Sequence, residues 1–434
     1  MSNLEPIENP ASARTRTVWF SCPGFWFWTL IALGAAIRIY FVVFTQGTYD
    51  AGLWQLNVMG VTQVGLLDHY RLDPNANHPP FILQLESFVW RFSELAGIPF
   101  RTLLRAQFAC FDAGTTLLLL KLLRHHRWRY LLTAAYWINP VSMILSAYQG
   151  NTDSAIAFFL LLTVWLLSGR QTVAAGVAMG LSFWIKLPGI LALPAFLLYL
   201  RGWRRRLIFL SIAAIVALIG YFPALVQGAA VIATNVFGYH GRMLQTQGGV
   251  AAWGPRVILF SVIAAPEKWP EQLHAPVLFF LQHNWQIGLL LGVILIVLRR
   301  SRRSVSGLCA TIAIAYVTLC GLTDYWAFQY FAWSLPFWFF LRPWFFVTAT
   351  VLLTAYIYSL YWTLCGNPWL LGTWDFAGHL DWPTSVIFFR NLAVIFFAAC
   401  AFAFLIGAIV NQIRSRRGRR TRLMAASELQ ARHS

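Results

Sequence analysis

Apolar residues run along this chain in long blocks, broken by short polar or basic turns. A helical block needs roughly 20 apolar residues to cross about 30 Å of hydrocarbon. In lipid a helix also satisfies its own backbone groups. The first block covers 25–45. A partly polar stretch, 46–101, follows it, and the second half of that stretch, 79–92, is apolar enough to lie on or dip into the interface. Further blocks start at 102–123 and 131–147, continue on either side of the Ser168-Gly169-Arg170 turn, and reach 207–227. A second polar segment spans 228–275. The remaining blocks turn near Arg299, Asp324, Arg342 and Leu364 and finish at 386–410. The pattern predicts an all-α, polytopic transmembrane helical bundle of about twelve spans, within a range of about ten to fourteen. It divides the chain into a lead, 1–22, a membrane domain, 23–410, and a basic tail, 411–434.

Composition narrows the class. With 59% hydrophobic and 11% charged residues, a soluble domain is excluded. A formal net charge of +18 suggests nucleic acid until its placement is read. Basic clusters fall in alternate turns, at Arg124/Arg127/Arg129, Arg201/Arg204/Arg205/Arg206, Arg299/Arg300/Arg302/Arg303 and Arg414/Arg416/Arg417/Arg419/Arg420/Arg422. This positive-inside pattern makes both termini cytoplasmic, leaves 46–101 and 228–275 on the outer face, and gives no nucleic-acid partner. The six cysteines lie in or beside spans without loop pairing, so neither a disulfide framework nor a zinc site is expected.

Most of the 15 acidic residues fall on the outer side, and there the candidate chemistry collects. Asp50 follows the first span in Gly47-Thr48-Tyr49-Asp50-Ala51-Gly52, where it suits a general base or, equally, a helix N-cap. Asp68, His69, Asp73 and His78 are a potential cation or sugar site, or plain turn polarity. Gln149-Gly150-Asn151-Thr152-Asp153 opens an apolar run, so Asp153 is an expected N-cap in a turn suited to hydroxyl recognition. Lys186 is flanked by apolar residues and calls for an anion, a lipid phosphate or a carboxylate, unless it snorkels to the interface. Arg38 and Asp112 are a potential structural pair, and Trp253, Trp269, Trp326 and Trp333 are expected in an interfacial belt.

In combination these residues resemble the GT-C superfamily of polytopic glycosyltransferases that use polyprenyl-phosphate-linked sugars, most closely its bacterial mannosyltransferase-like members. The matching parts are Asp50, His78-Pro79-Pro80-Phe81, Gly150 to Asp153, Trp184 to Pro188 with Pro194, and Gln329 to Pro336. At Gln329 many relatives carry arginine, so an arginine–phosphate contact is not carried over. The resemblance implies juxtamembrane helices in the first outer loop, packed over a groove that a lipid donor enters from the bilayer. It implies Asp50 as base and Lys186 as phosphate stabiliser, with Arg242 or Arg256 as substitutes. Asp153, Asn151 and His78 then meet sugar or acceptor hydroxyls, with Asp68, Tyr239, Gln329 and Tyr330 as further substrate contacts. The implied partners are a polyprenyl-phosphate-sugar donor, a glycan, lipid or protein acceptor, and the bilayer. No metal ligands are assigned, although some relatives take a divalent cation. The implied location is a bacterial inner membrane with the active site on its outer face. The rival reading is a lipid-linked sugar carrier or flippase, which would carry its ionisable groups along mid-membrane helices.

Overall fold

A computed structural model of the 434-residue chain describes residues 23–238, 253–259, 269–299, 304–324, 326–374 and 382–433, with side chains as far as 414. Every regular element among them is helical. The first span is α1 (Pro23–Phe44). The first outer loop then folds into α2 (Tyr49–Val64), α3 (Leu66–Leu72) and α4 (Pro80–Ala96) before the chain re-enters the bundle as α5 (Phe100–Leu122). Proline shapes the start of α4, since Pro80 sits where the missing N–H costs nothing, and Gly97 ends it in the left-handed conformation (φ 65°).

The block expected over 131–147 is three pieces: α6 (Arg129–Trp137), α7 (Pro140–Met143) and a π-helical turn, Ile144–Gln149. Asn139 caps α7 by accepting from the backbone N–H of Val141 at 2.9 Å, and Pro140 prevents α6 from continuing. Next come α8 (Asp153–Ser168), α9 (Thr172–Ile185), a 3₁₀ turn Leu187–Ala192, α10 (Leu193–Tyr199) and α11 (Trp203–Ile232). After a short turn at Pro255–Val257, the last four helices are α12 (Glu271–Leu298), α13 (Val305–Leu322), α14 (Pro343–Cys365) and α15 (Thr384–His433). The apolar segment expected as a span over 327–342 is instead two 3₁₀ turns, Phe328–Trp333 and Leu335–Phe340. The basic tail continues the last helix rather than forming a separate element.

Among the described residues seven helices are long and apolar enough to cross a bilayer: Gly24–Phe44, Phe100–Leu122, Trp203–Phe237, Glu271–Leu298, Val305–Leu322, Pro343–Cys365 and Thr384–Arg414. Asp153–Ser168, Thr172–Ile185 and Leu187–Tyr199 are apolar but shorter. Packing supports an integral membrane protein. Large apolar side chains such as Trp28, Ile219, Val226, Val351 and Ile406 face outward, and α13 is enclosed on nearly every side. Close helix approach depends on small residues. At Gly180 a Cβ would come within 2.6 Å of Val216, where α9 meets α11.

One buried polar network ties the bundle together. Asp112 of α5 accepts from Arg38 Nε at 3.0 Å, Tyr136 Oη at 2.6 Å and Ser142 Oγ at 2.7 Å. Arg38 also donates to the Trp137 carbonyl at 2.7 Å and lies 3.6 Å from the centroid of its ring. The potential pair in the sequence is therefore a saturated structural site, as a charge in the membrane interior requires.

Candidate active site

The site forms where two loops are locked by one arginine. Arg105 of α5 is buried and spends all its donors on backbone and hydroxyl oxygens. Nη1 reaches the Phe41 carbonyl and Thr45 Oγ1, both at 2.8 Å, and Nη2 reaches the carbonyls of Val42 at 3.0 Å and Thr45 at 2.7 Å. These are the carbonyls that α1 leaves unsatisfied at its C-terminus, so Arg105 fixes where the chain departs toward α2. The same side chain fills the space beside Gly150, whose φ is +67° and where a Cβ would stand 2.2 Å from Arg105 Cγ. Only glycine satisfies both constraints.

From these two anchored loops Asp50 and the 149–153 segment meet. Thr48, not Asp50, is the N-cap of α2, and Asp50 lies in its first turn. Asp50 Oδ2 accepts from Gln149 Nε2 at 2.7 Å and from Asn151 Nδ2 at 3.1 Å. Both amides are oriented from behind. The Tyr361 hydroxyl donates to Gln149 Oε1 at 2.9 Å, and Asn151 Oδ1 accepts from the Thr152 N–H at 2.7 Å. Asp50 Oδ1 takes no hydrogen bond from the described residues. Burial pushes the Asp50 pKa above the ordinary carboxylate value, while the Gln149 and Asn151 bonds and the Lys186 charge hold it down.

Lys186 and Asp153 stand close enough to act on that charge. Asp153 is the first residue of α8, and its side chain does not cap the helix. Its Oδ1 accepts from Lys186 Nζ at 2.9 Å and from Trp333 Nε1 at 2.6 Å, and its buried Oδ2 has no partner. Lys186 ends α9 in extended conformation, its ammonium 4.7 Å from the Tyr330 ring centroid and 5.7 Å from that of Trp333. Those two rings stack at 4.3 Å. Of the anions open to Lys186 in sequence, the structure shows the carboxylate.

His78 completes the cluster. Its ring stacks on Trp54 of α2 at 4.1 Å, its Nδ1 is buried without a partner, and Tyr70 holds its carbonyl. Burial and the nearby Lys186 push its pKa down to about 3, which leaves a neutral imidazole.

The geometry corrects several expectations. Asp68, on the exposed face of α3, makes a surface pair with Arg71 at 2.6 Å, one turn later. Arg256 pairs with Asp324 at 3.4 Å, an aspartate that also accepts from Asn284 at 2.8 Å. Trp253, Trp326 and Trp333 are buried rather than interfacial, each engaged in ring packing. Gln329 is half-buried in the turn that carries Tyr330. Tyr239 and Arg242, like Asp375, His379 and Asp381, lie outside the described residues. The structure adds Gln149, Tyr361, Trp54 and Trp333 to the site. Gln149 has a sequence signal as a neighbour of Asn151 and Asp153, and Trp333 has one as part of the Gln329–Pro336 stretch, whereas Tyr361 and Trp54 have none. Among the described residues no group of three His, Cys, Asp or Glu side chains forms a potential metal-ligand set.

An all-helical membrane bundle with acidic, amide and lysine side chains gathered at helix ends defines a class of membrane-embedded, polar-substrate proteins. The chain belongs to glycosyltransferase family 87, whose family model matches residues 87–323, more than half its length. Asn151, Asp153 and Lys186 lie inside that match, and Asp50, His78 and Tyr330 lie outside it. No curated protein sequence matches the chain. It is therefore a membrane glycosyltransferase.

Proposed function

We propose that the protein transfers a hexosyl group from a polyprenyl-phosphate-linked donor to an acceptor hydroxyl, with inversion at the anomeric carbon and Asp50 as general base. The observation that carries this reading is the asymmetry of the Asp50 carboxylate. Two oriented amides hold Oδ2, and Oδ1 is left for a substrate proton. The acceptor oxygen attacks the anomeric carbon as the bond to the phosphate oxygen breaks. Its proton passes to Asp50, and the bonding electron pair leaves with the phosphate. The transition state is oxocarbenium-like. A lipid phosphate leaves as a stable anion and needs no general acid, so one base and one cation suffice.

Lys186 is the proposed cation. It spends one donor on Asp153, and a lysine has three. Asn151 and neutral His78 are suited to sugar hydroxyls, since neither carries a charge that must be desolvated. Tyr330 and Trp333 offer an apolar wall beside the ammonium. The basic turns support an outer-face site and cytoplasmic termini, as in a bacterial inner membrane.

The test is donor class and stereochemistry together. Membranes containing the protein are supplied with polyprenyl-phosphate sugars, mannose among them, and in parallel with the matching nucleotide sugars. Transfer from a lipid donor with an inverted anomeric centre by NMR supports the proposal. Transfer only from nucleotide sugars, or with retention, overturns it.

A further inference from the structure

A cavity of about 280 Å³ lies along the face of α2 opposite Asp50. Gly52, Leu56 and Met59 recur at helical spacing and form its α2 wall, and Asp50 stands about 160° around the helix from Gly52. Arg101 from the first turn of α5 and Trp374 line it as well, and among the described residues none that line it is acidic. The Arg101 guanidinium has no hydrogen bond or ion pair with any described residue, and its Nη2 lies 3.3 Å from where a Gly52 Cβ would be. Thr48 is buried at the cavity wall, and its Oγ1 has no partner. The first turns of α2 and α5 both contribute to the wall, and neither helix has a side-chain cap. An unpaired guanidinium and a residue with an orphan hydroxyl thus line one space beside two uncapped helix N-termini, and each favours an anion with oxygen acceptors. Tyr49 and Leu56, on the same wall, are 52% and 61% exposed, which provides a place for hydrocarbon at the mouth.

We propose that this cavity binds the phosphate of a membrane-lipid headgroup, separately from the reacting donor, and so fixes the helix that carries Asp50. Arg101 meets the phosphate oxygens, Thr48 donates its hydroxyl, and the acyl chains leave past Tyr49 and Leu56.

Native mass spectrometry of the purified protein with dioctanoyl phosphatidylglycerol tests this, with dioctanoylglycerol as the phosphate-free control. Wild type and Asp50→Asn retain one phosphatidylglycerol and no dioctanoylglycerol. Arg101→Gln lowers retention at least tenfold, and so does Gly52→Leu, which fills the cavity while favouring helix. Thermal unfolding confirms that each variant is folded, and the two changes are independent, so either one suffices. Equal retention in wild type and the folded variants overturns the proposal, as does equal retention of dioctanoylglycerol. Displacement by equimolar inorganic phosphate makes the site one for free anions and overturns the lipid assignment. One-for-one displacement by polyprenyl phosphate assigns it to the reaction's own lipid and overturns its separateness.

Discussion

Two amides meet one oxygen of Asp50, and each is fixed by a further bond of its own. Because Gln149 donates to the charged form of the carboxyl, removing it raises the Asp50 pKa further. In Gln149→Leu the acid limb of the rate–pH profile therefore moves to higher pH than in wild type, and the lost activity is regained as the pH is raised. A uniform loss at all pH values would contradict this role. Glu86 offers a test of stability rather than activity. It is buried in α4, bonded to Gln107 through one oxygen with the other unpartnered, and burial pushes its pKa up to about 8. The folded chain binds this proton more tightly than the unfolded chain. The stabilisation is thus complete below the ordinary glutamate value and is lost as pH rises through about 8. Glu86→Gln should flatten the fall in melting temperature between pH 5 and 9, and an unchanged fall would refute the assignment. Residue types were legible in the sequence where polar groups interrupt apolar runs, as at Asp50, Asn151, Asp153 and Lys186. Partners were not: Trp333 reaches Asp153 across 180 positions, and no local spacing encodes that.

At the scale of elements, the site depends on how α1 ends and α8 begins. Arg105 anchors both, and Gly150 leaves it room. Gly150→Ala forces a Cβ into the left-handed region, at a cost of about 1–2 kcal/mol, and also into contact with Arg105. It should lower the melting temperature and sharply reduce transfer, whereas Gly97→Ala, with an open surrounding at similar φ, should pay only the backbone cost and leave transfer intact. Equal effects at the two glycines would show that the Arg105 contact is unimportant. The long spans were legible because each is a block of one character. The segment 327–342 was not, since its apolar content suits a buried 3₁₀ turn as well as a span. Pro336 and the crowded aromatics of Phe328–Trp333 and Leu335–Phe340 decide between them only through tertiary packing.

At the scale of the whole molecule, basic turns, apolar exterior and family membership describe an integral membrane glycosyltransferase. The proposed orientation rests on the lysine and arginine bias. Single cysteines placed at Gly97 and at Ser304, in a chain freed of its own cysteines, should react with impermeant maleimide from outside and from inside respectively. The reverse labelling would invert the topology and move the site to the cytoplasmic face. The central claim is that Asp50 removes the acceptor proton. The direct measurement is transfer of radiolabelled sugar from polyprenyl phosphate by wild type, Asp50→Asn and Asp68→Asn side by side, with donor binding followed in each. Loss of about 10²–10⁴-fold in Asp50→Asn, with donor binding kept and Asp68→Asn unaffected, is the predicted result. Undiminished transfer by a folded Asp50→Asn protein would contradict it.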